Sequence, residues 1–311
     1  MRVIVIGAGG VGGYFGARLL QGGCDVGFVA RGAHLTALRE RGLRVESKLG
    51  DVEFAQVRAS DNPADLGPAD LILMCVKLWD TESAAQAVRP ALGPNTAVIS
   101  LQNGVQKEEV LRRVLGDKAV LGGVSYISSK IVSPGVISHV SMIPRLVFGE
   151  LDGSITARTE AFLAACQRGG IEAEISTDIR RKIWEKFVFI VGVSAVTTSM
   201  RQTIGPIRAN AQTRAFLLDV MREVVAVGRA HGINLDEDFA ENRLAFCDSM
   251  PAETTSSMHN DLSQGRPLEV PWLSGGVVEL GQAVGIPTPL NRAVNDILAL
   301  HAQGKPREAK Q

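Results

Sequence analysis

A lysine within a predicted apolar helix is the first group in the sequence that could do chemistry. The helix spans Ile179 to Met200, carries its charges in its first turns and has nothing ionisable from Phe187 to Val196. At about 100° per residue, Lys186 falls on the same side as Ile190 and Ser194. A lysine placed there either reaches water along its apolar stem or works as a proton-transferring amine.

A glycine-rich turn near the amino terminus is the second such feature. The sequence GAGGVG follows the β-branched run Val3 to Ile6, precedes a helical pattern and leads to a strand at Asp25 to Ala30. In this strand-helix-strand context, Gly7 permits the tight turn, Gly9 allows close approach of a pyrophosphate, and Gly12 lets helix and strand pack. The pattern predicts a dinucleotide site. Its expected contacts are Gly7, Gly9, Gly10, Val11 and Gly12.

The end of the second strand favours NADP(H) over NAD as the cofactor. An NAD site requires an acidic residue there to accept from the ribose hydroxyls, whereas this strand ends in Arg31 and has no acid before Glu40. The guanidinium of Arg31 can clamp a 2′-phosphate. The alternative is an exposed arginine at a strand end.

Two more polar residues follow apolar strands farther along the chain. Lys77 ends the run Leu71 to Val76, and Asn103 follows the strand Thr96 to Leu101. Parallel strands present their carboxyl ends at one edge, so these residues are expected beside the glycine turn and Arg31. Lys77 could contact cofactor or substrate, and the Asn103 amide could pair with cofactor or a carbonyl substrate. The ordinary alternatives are that Lys77 is a solvated strand end and that Asn103 is a turn residue.

Composition narrows the class of protein. The 311 residues carry 33 basic and 33 acidic side chains without blocks of like charge, which argues against nucleic-acid and membrane partners. No uninterrupted apolar run approaches the about 18 to 20 residues of a membrane span. The four cysteines form no Cys-x-x-Cys pair and lie near no histidine pattern, which indicates reduced thiols, no metal site and a cytoplasmic protein.

The alternation of strands and helices predicts a parallel sheet with right-handed crossovers, and a chain of this length suggests two domains. Consecutive β-like segments after Gly116, with a turn at 142–144, predict an antiparallel extension of the sheet, and everything after residue 176 is helical before a polar tail, GKPREAKQ. We therefore predict an α/β dinucleotide-binding domain over residues 1–176 and an all-α domain over residues 177–311. The apolar helix faces of the second domain allow a homodimer.

Taken together and in order, five segments resemble the ketopantoate reductase (2-dehydropantoate 2-reductase) family, and the match runs from end to end. They are GAGGVG with Arg31, VKLWD, QNGV, IWEKF and TTSSMHNDLSQGRPLEV. The resemblance implies an NADPH-dependent enzyme of pantothenate synthesis, with a Rossmann-type domain followed by an all-helical domain.

The resemblance also implies roles for individual residues. Lys186 would be the catalytic lysine and Glu269 the acid that positions substrate, while Asn103 and Ser257 would contact substrate and Arg31 and Lys77 the cofactor. Hydride transfer to the C2 carbonyl of a 2-oxo acid leaves charge on oxygen, which a proton-donating cation stabilises. The ordinary alternative for Glu269 is an acid near a helix amino end with Arg266 as its surface partner. The ordinary alternative for Ser256 and Ser257 is helix capping.

Three positions depart from the family pattern. The family usually presents asparagines four and eight residues after the lysine and three residues before the serine, where this chain has Ile190, Ser194 and Thr254. Ile190 and Ser194 remain predicted substrate contacts. Because buried polar groups left unpaired cost about 1 to 3 kcal/mol each, the substrate is expected to be more apolar or bulkier than ketopantoate.

Four functions are therefore compared: an NADPH-dependent ketopantoate reductase, a sibling reductase of another 2-oxo acid or related carbonyl compound, a non-enzymatic NADP-binding sensor, and a 3-hydroxyacid dehydrogenase. The presence of both Lys186 and Glu269 argues against the sensor. The dehydrogenase is disfavoured because the segment RRKIWEKFVFI lacks that class's usual glycine-rich approach to the lysine and its asparagine four residues later.

Overall fold

The computed structural model of the protein describes residues 1–141 and 144–305 and divides into two compact units. The first unit contains Met1–Asn103 and Lys107–Lys182, and the second contains Gly104–Gln106 and the chain from Ile183 onward. The predicted domain boundary between residues 176 and 177 stays a prediction. The predicted turn at 142–144 and the polar tail fall largely outside the described residues.

The first unit is built on an eight-stranded sheet. Its strands are β1 (Arg2–Ile6), β2 (Asp25–Val29), β5 (Arg58–Ser60), β6 (Ala69–Met74), β7 (Leu92–Ser100), β8 (Val120–Tyr126), β11 (Arg145–Gly149) and β12 (Glu172–Ile175). Their order is β12-β11-β8-β7-β6-β1-β2-β5. The neighbours pair in parallel, apart from the antiparallel pair β8 and β11. The predicted α/β fold with a parallel sheet is confirmed.

Alternation along β1 explains how the sheet is covered on both faces. Val3 and Val5 join one buried apolar cluster, whereas Ile4 and Ile6 join a second. Successive strand residues point to opposite faces, so a continuous apolar run requires helices on both sides. The helices of this unit are α1 (Gly10–Gln21), α2 (Gly32–Arg41), α3 (Thr81–Val88), α4 (Lys107–Leu115) and α5 (Ala157–Arg168).

A second sheet of four strands was not predicted as a separate layer. It consists of β3 (Leu43–Ser47), β4 (Val52–Phe54), β9 (Ser129–Ser133) and β10 (Val136–His139), in the order β4-β3-β10-β9. The predicted antiparallel extension of the main sheet is thus confirmed for β11 on β8 and wrong for β9 and β10. β10 instead pairs in parallel with β3, a partner far away in sequence.

The second unit is helical, as predicted. Its helices are α6 (Ile179–Met200, which begins in the first unit), α7 (Ile204–Ala209), α8 (Ala211–Ala230), α9 (Phe239–Ser249), α10 (Ser257–Ser263), α11 (Ser274–Val284) and α12 (Pro289–Leu298). The bounds of α6 agree with the sequence prediction, whereas the short α7 was not foreseen. The carboxylate of Glu223 in α8 accepts from the backbone N–H groups of Leu290 and Asn291 and so caps α12.

Helix α6 packs within the apolar core of the second unit. A Cβ on Gly192 would lie 2.5 Å from atoms of Met221, so the glycine lets α8 pack closely against α6. By length and composition alone α6 could also span a membrane, but 67% of its apolar 18-residue stretch is buried inside the protein. A buried core helix meets the same criteria, so the composition of α6 is weak evidence for a span.

Candidate functional site

The glycine-rich turn connects β1 to α1, and its shape depends on Gly7. Gly7 has a φ of +92°, and a Cβ there would lie 2.9 Å from the backbone nitrogen of Val76. The backbone N–H groups of Gly7 and Ala8 both donate to the carbonyl of Val29 at 3.0 Å. The turn is therefore fixed against the carboxyl end of β2, and only glycine satisfies both the angle and the space at its first position.

The other residues of the turn differ in what surrounds them. A Cβ on Gly9 would meet nothing within 4 Å, whereas one on Gly12 would lie 2.2 Å from the Gly7 carbonyl oxygen. A Cβ on Gly10 would lie 2.4 Å from the carbonyl oxygen of Ser129 on β9. Val11 packs against the buried apolar cluster that contains Val3 and Val5. Gly12 thus serves helix packing, and Gly10 accommodates the second sheet. The open side of Gly9, the N-cap residue of α1, fits the phosphates of a dinucleotide.

Cys75 lies directly beneath this turn, where its backbone would contact a Cβ on Gly7. Burial raises the pKa of its thiol to about 12, so the group is neutral at physiological pH. All four cysteines are free, in keeping with the predicted reduced thiols. Cys75 therefore packs as a small apolar residue and is no candidate nucleophile.

Arg31 follows β2 and stands at the amino end of α2 as its N-cap residue. It is exposed, and within residues 1–141 and 144–305 its guanidinium forms neither a hydrogen bond nor an ion pair. A cation at that position can reach an anionic group of a ligand without first breaking an internal contact.

Lys77 and Asn103 follow β6 and β7, the next strands in the sheet. Lys77 is the N-cap residue of a short 3₁₀ helix, and its Nζ lies 5.8 Å from the centroid of the Trp79 ring. Asn103 is half-buried. Since β7, β6, β1 and β2 are consecutive neighbours in the sheet, the structure brings these two residues, the glycine turn and Arg31 to one edge, as predicted.

The segment that carries Asn103 is held by a buried polar network that the sequence did not reveal. Nε2 of Gln102 donates to the hydroxyl of Thr81 at 2.8 Å, and the Gln102 side-chain oxygen accepts from Ser100 at 2.9 Å. Lys107 is buried one turn later and donates to the carbonyls of Ser100 and Gly123. The turn is therefore anchored to both β7 and β8.

In the helical unit, Lys186, Ile190 and Ser194 lie at successive i, i+4 positions of α6 and share one face. Lys186 and Ile190 are half-buried and Ser194 is buried. The predicted stripe is thus present on the helix. The face offers one ammonium group and one hydroxyl, separated by a branched hydrocarbon.

Glu269 and Ser257 lie on the chain between α9 and α11. Glu269 is buried, and its backbone carbonyl accepts from the N–H groups of Trp272 and Leu273 at 3.0 Å. Arg266 forms an ion pair with Asp261 at 2.9 Å. Ser257 is exposed at the first position of α10.

The neighbouring Ser256 is the N-cap residue of α10, which confirms the capping role for this serine. Its Oγ accepts from the backbone N–H of His259 at 3.0 Å and lies 2.9 Å from Oγ1 of Thr197. The hydroxyl of Thr197 also donates to the Val193 carbonyl on α6. Ser256 therefore joins the start of α10 to α6, one turn beyond Ser194.

Two histidines of the first unit had no predicted role in binding. His139 is buried, and its Nδ1 lies 2.9 Å from the Ser47 hydroxyl. Its ring packs at a tilt against Tyr14 with ring centroids 4.3 Å apart, which fits the structural role favoured from sequence. His34 contacts the glycine turn, and a single histidine in a helical pattern gave no signal of this. Within the described ranges no group of three or more His, Cys, Asp or Glu side chains could hold a metal.

Comparison with known proteins agrees with this arrangement. Residues 3–153 match the family described as ketopantoate reductase PanE/ApbA, and residues 178–302 match its C-terminal part. A 2-dehydropantoate 2-reductase of Mesorhizobium japonicum is 30% identical, with 96% of each chain covered. The uncharacterized oxidoreductase YkpB of Bacillus subtilis is also 30% identical, over 98% of this chain and 100% of YkpB.

A solved structure gives the same result for the fold. The crystal structure of a PanE/ApbA family ketopantoate reductase from Ralstonia eutropha JMP134 is 34% identical, with a TM-score of 0.89 over 97% of this chain and 98% of that chain. The resemblance found in the sequence is confirmed, and the sensor is set aside because the match is to oxidoreductases. The chain belongs to the ketopantoate reductase family, oxidoreductases that act on a CH–OH/C=O pair of a small molecule with a nicotinamide dinucleotide.

Proposed function

We propose that the protein reduces 2-dehydropantoate to pantoate with NADPH, and that Lys186 donates the proton. The observation that carries the proposal is the position of Lys186 on one face of α6 with Ile190 and Ser194, in a chain that belongs to the ketopantoate reductase family. The predicted domains of residues 1–176 and 177–311 would then hold cofactor and catalytic groups respectively.

The cofactor would be held at the edge of the parallel sheet. The open side of Gly9 and the amino end of α1 would receive the pyrophosphate, and the exposed Arg31 would receive a 2′-phosphate, which supports NADPH over NADH. Lys77 and Asn103 would contact the cofactor from the neighbouring strands. Bound NADPH supplies a hydride for the C2 carbonyl.

The chain's own groups would complete the reaction. As the carbonyl carbon is reduced, negative charge develops on its oxygen, and Lys186 Nζ would stabilise that charge and transfer a proton to the oxygen. The buried carboxylate of Glu269 would orient a substrate hydroxyl and offset the desolvation of the ammonium group. Asn103 and Ser257 would position the substrate by hydrogen bonds.

A second candidate is the reduction of a less polar 2-oxo acid or related carbonyl compound by the same groups. Ile190 and Ser194 carry this alternative, because neither offers the amide that the family pattern has on that face. A hydrocarbon at Ile190 would favour a branched or aromatic substituent over a hydroxyl. Both candidates share the proton donor and differ only in the substrate group that meets this face.

The experiment that tests both is NADPH oxidation by the purified protein with 2-dehydropantoate and a panel of branched and aromatic 2-oxo acids. Preference for 2-dehydropantoate supports the first candidate, and preference for an apolar acid supports the second. Lys186→Ala should lower kcat by about 10²- to 10⁴-fold, the usual contribution of a general acid, while NADPH binding is largely kept. Lys182→Ala, one turn earlier in α6, is the matched control.

If Lys186→Ala turns over the preferred substrate as fast as the wild type, the proposed proton donor is wrong. If no 2-oxo acid is reduced at all, the substrate class is wrong, whatever Lys186 does. The cytoplasmic location and the homodimer stay predictions. Cell fractionation would check the location, and sizing of the purified protein would check the dimer.

A further inference from the structure

His34 on α2 bonds the main chain of two other segments. Its Nε2 lies 2.8 Å from the carbonyl oxygen of Ala8 in the glycine-rich turn, and the backbone N–H of Gly135 donates to its Nδ1 at 3.1 Å. A carbonyl only accepts and an amide only donates, so the ring is the neutral tautomer with its proton on Nε2. Burial lowers the pKa of His34, which favours this neutral form.

The contact with Ala8 also determines the direction of the next backbone donor. The described chain contains no cis peptide bond, and in a planar trans peptide the carbonyl of Ala8 and the N–H of Gly9 point in opposite directions. By holding the carbonyl, His34 fixes the orientation of the Gly9 N–H. Gly9 is the residue of the turn whose surroundings are open.

The contact with Gly135 ties the same imidazole to the hairpin of β9 and β10, whose tight turn contains Gly135 at φ +85°. This hairpin packs on α1. A Cβ on Gly10 would lie 2.4 Å from the Ser129 carbonyl oxygen, and one on Gly13 would lie 2.8 Å from Cγ1 of Ile137. His34 therefore joins the glycine turn and the hairpin that covers the first turns of α1.

We propose that His34 is a positioning residue of the dinucleotide site: it holds the Ala8–Gly9 peptide plane, and thereby the Gly9 N–H, in the orientation that receives a diphosphate. The proposal rests on the proposed function only in taking the glycine-rich turn as the dinucleotide site. An uncharged ring is required, because a proton on Nδ1 would face the N–H of Gly135. His34 touches neither substrate nor the reacting atoms in this role.

The test is the dissociation constant of NADPH, measured by isothermal titration calorimetry on the intact protein, beside the melting temperature. His34→Leu removes both hydrogen bonds and should weaken NADPH binding at least about tenfold, because a misdirected donor loses a charge-assisted bond. His34→Gln keeps one donor and one acceptor and should restore binding to within about threefold of wild type. In steady state the KM for NADPH rises, while kcat at saturating NADPH changes little.

His231→Leu is the matched control, since the Nε2 of His231 also bonds a single main-chain carbonyl, that of Leu280, but in the helical unit. It should lower the melting temperature without changing the NADPH dissociation constant. If His34→Leu does not fold, His34→Asn replaces it with the same expectation, because its shorter amide cannot span both partners.

Binding of NADPH by the folded His34→Leu or His34→Asn variant as tightly as by the wild type would overturn the positioning role, even if the melting temperature falls. Failure of the wild type to bind NADPH or NADH would instead contradict the proposed dinucleotide site. The two failures are therefore distinguishable.

Discussion

Nζ of Lys107 lies 2.7 Å from Oε1 of Glu108, and both side chains are buried at the start of α4. The ammonium group also donates to the carbonyls of Ser100 at 3.2 Å and Gly123 at 2.7 Å, so each of its three protons has an acceptor. Burial raises the pKa of Glu108, and the neighbouring Lys107 opposes that rise. The ionised form of the buried Glu108 therefore depends on the Lys107 ammonium group.

We expect Lys107→Met to lower the free energy of unfolding by about 3 to 5 kcal/mol, because the carboxylate of Glu108 is left buried without its partner. Loss of the cation raises the folded pKa of Glu108 further, so the loss of unfolding free energy is small while Glu108 is protonated. It grows as the pH rises through the folded pKa of the wild type, which already lies above the unfolded value of 4.5. Urea unfolding measures it. Lys107→Met/Glu108→Gln should recover most of the loss, and Lys118→Met is an exposed control.

A loss below about 1 kcal/mol for Lys107→Met at neutral pH, no larger than for a typical surface substitution, would mean that water or another cation reaches Glu108. The same variant should raise the KM for substrate, because Lys107 holds the end of β7 that leads to Asn103.

Two glycines of the glycine-rich turn should respond differently to substitution by alanine. A Cβ on Gly12 would lie 2.2 Å from the backbone carbonyl of Gly7, so Gly12→Ala should destabilise the fold by about 1 to 3 kcal/mol or more. Gly9 has a φ of −72° and open surroundings, so Gly9→Ala should fold with unchanged stability but weaken NADPH binding. Thermal unfolding and calorimetric titration separate the two effects. Tight NADPH binding by Gly9→Ala would show that no ligand approaches this side of the turn.

The strands and helices that bear the candidate site followed from local sequence patterns. Glycine spacing after an apolar strand and the polar residues after β6 and β7 predicted one shared edge, because parallel strands fix where their ends lie. The second sheet was beyond such reasoning. β3 pairs with β10, about ninety residues later, and an alternating pattern identifies a strand without identifying its partner.

The supporting polar residues were missed for a different reason. Lys107 and Glu108 precede Glu109 in a charged helix start, which is typical of a solvated face, and only the fold reveals that the first two are buried while Glu109 is exposed. His34 likewise lies in an ordinary helical pattern. Residues that act on the backbone of distant segments leave no spacing signal, since their partners are main-chain atoms of any residue type.

Arg31 should determine the preference for NADPH over NADH. Its exposed guanidinium would form charge-assisted hydrogen bonds with a 2′-phosphate, so Arg31→Ala should raise the KM for NADPH about 10- to 100-fold and leave that for NADH unchanged. Arg39→Ala on the same helix, whose side chain bonds the Ala59 carbonyl and pairs with Asp61, is the control. An unaltered ratio of the two KM values in Arg31→Ala would place the source of cofactor preference elsewhere.

Stability should fall as the pH is lowered below the ordinary histidine pKa. Burial lowers the pKa values of His34, His139 and His259 from 6.5, and for His139 the charge of Arg18 adds to the effect. The unfolded chain then binds more protons, so the stabilising contribution is complete above 6.5 and is lost as the pH falls through the folded pKa values. Glu108 acts in the opposite direction.

The measurement therefore compares wild type with His139→Gln by urea unfolding between about pH 7.5 and pH 5. Wild type should lose more unfolding free energy over this range than the variant, because only wild type must protonate the buried His139 imidazole. Equal losses in both proteins would contradict the sign argued for His139.

The face of α6 after Lys186 should set the choice of 2-oxo acid. Ile190→Asn and Ser194→Asn introduce amides that can pair with a substrate hydroxyl, so kcat/KM for 2-dehydropantoate should rise about tenfold relative to an apolar 2-oxo acid. Ile190→Leu keeps the face apolar and should leave the ratio unchanged. The ratio does not depend on how much enzyme is folded, so the stability cost of an asparagine at the half-buried Ile190 or the buried Ser194 does not enter. If the asparagine variants slow both substrates equally, the face formed by Lys186, Ile190 and Ser194 does not meet the group by which the substrates differ.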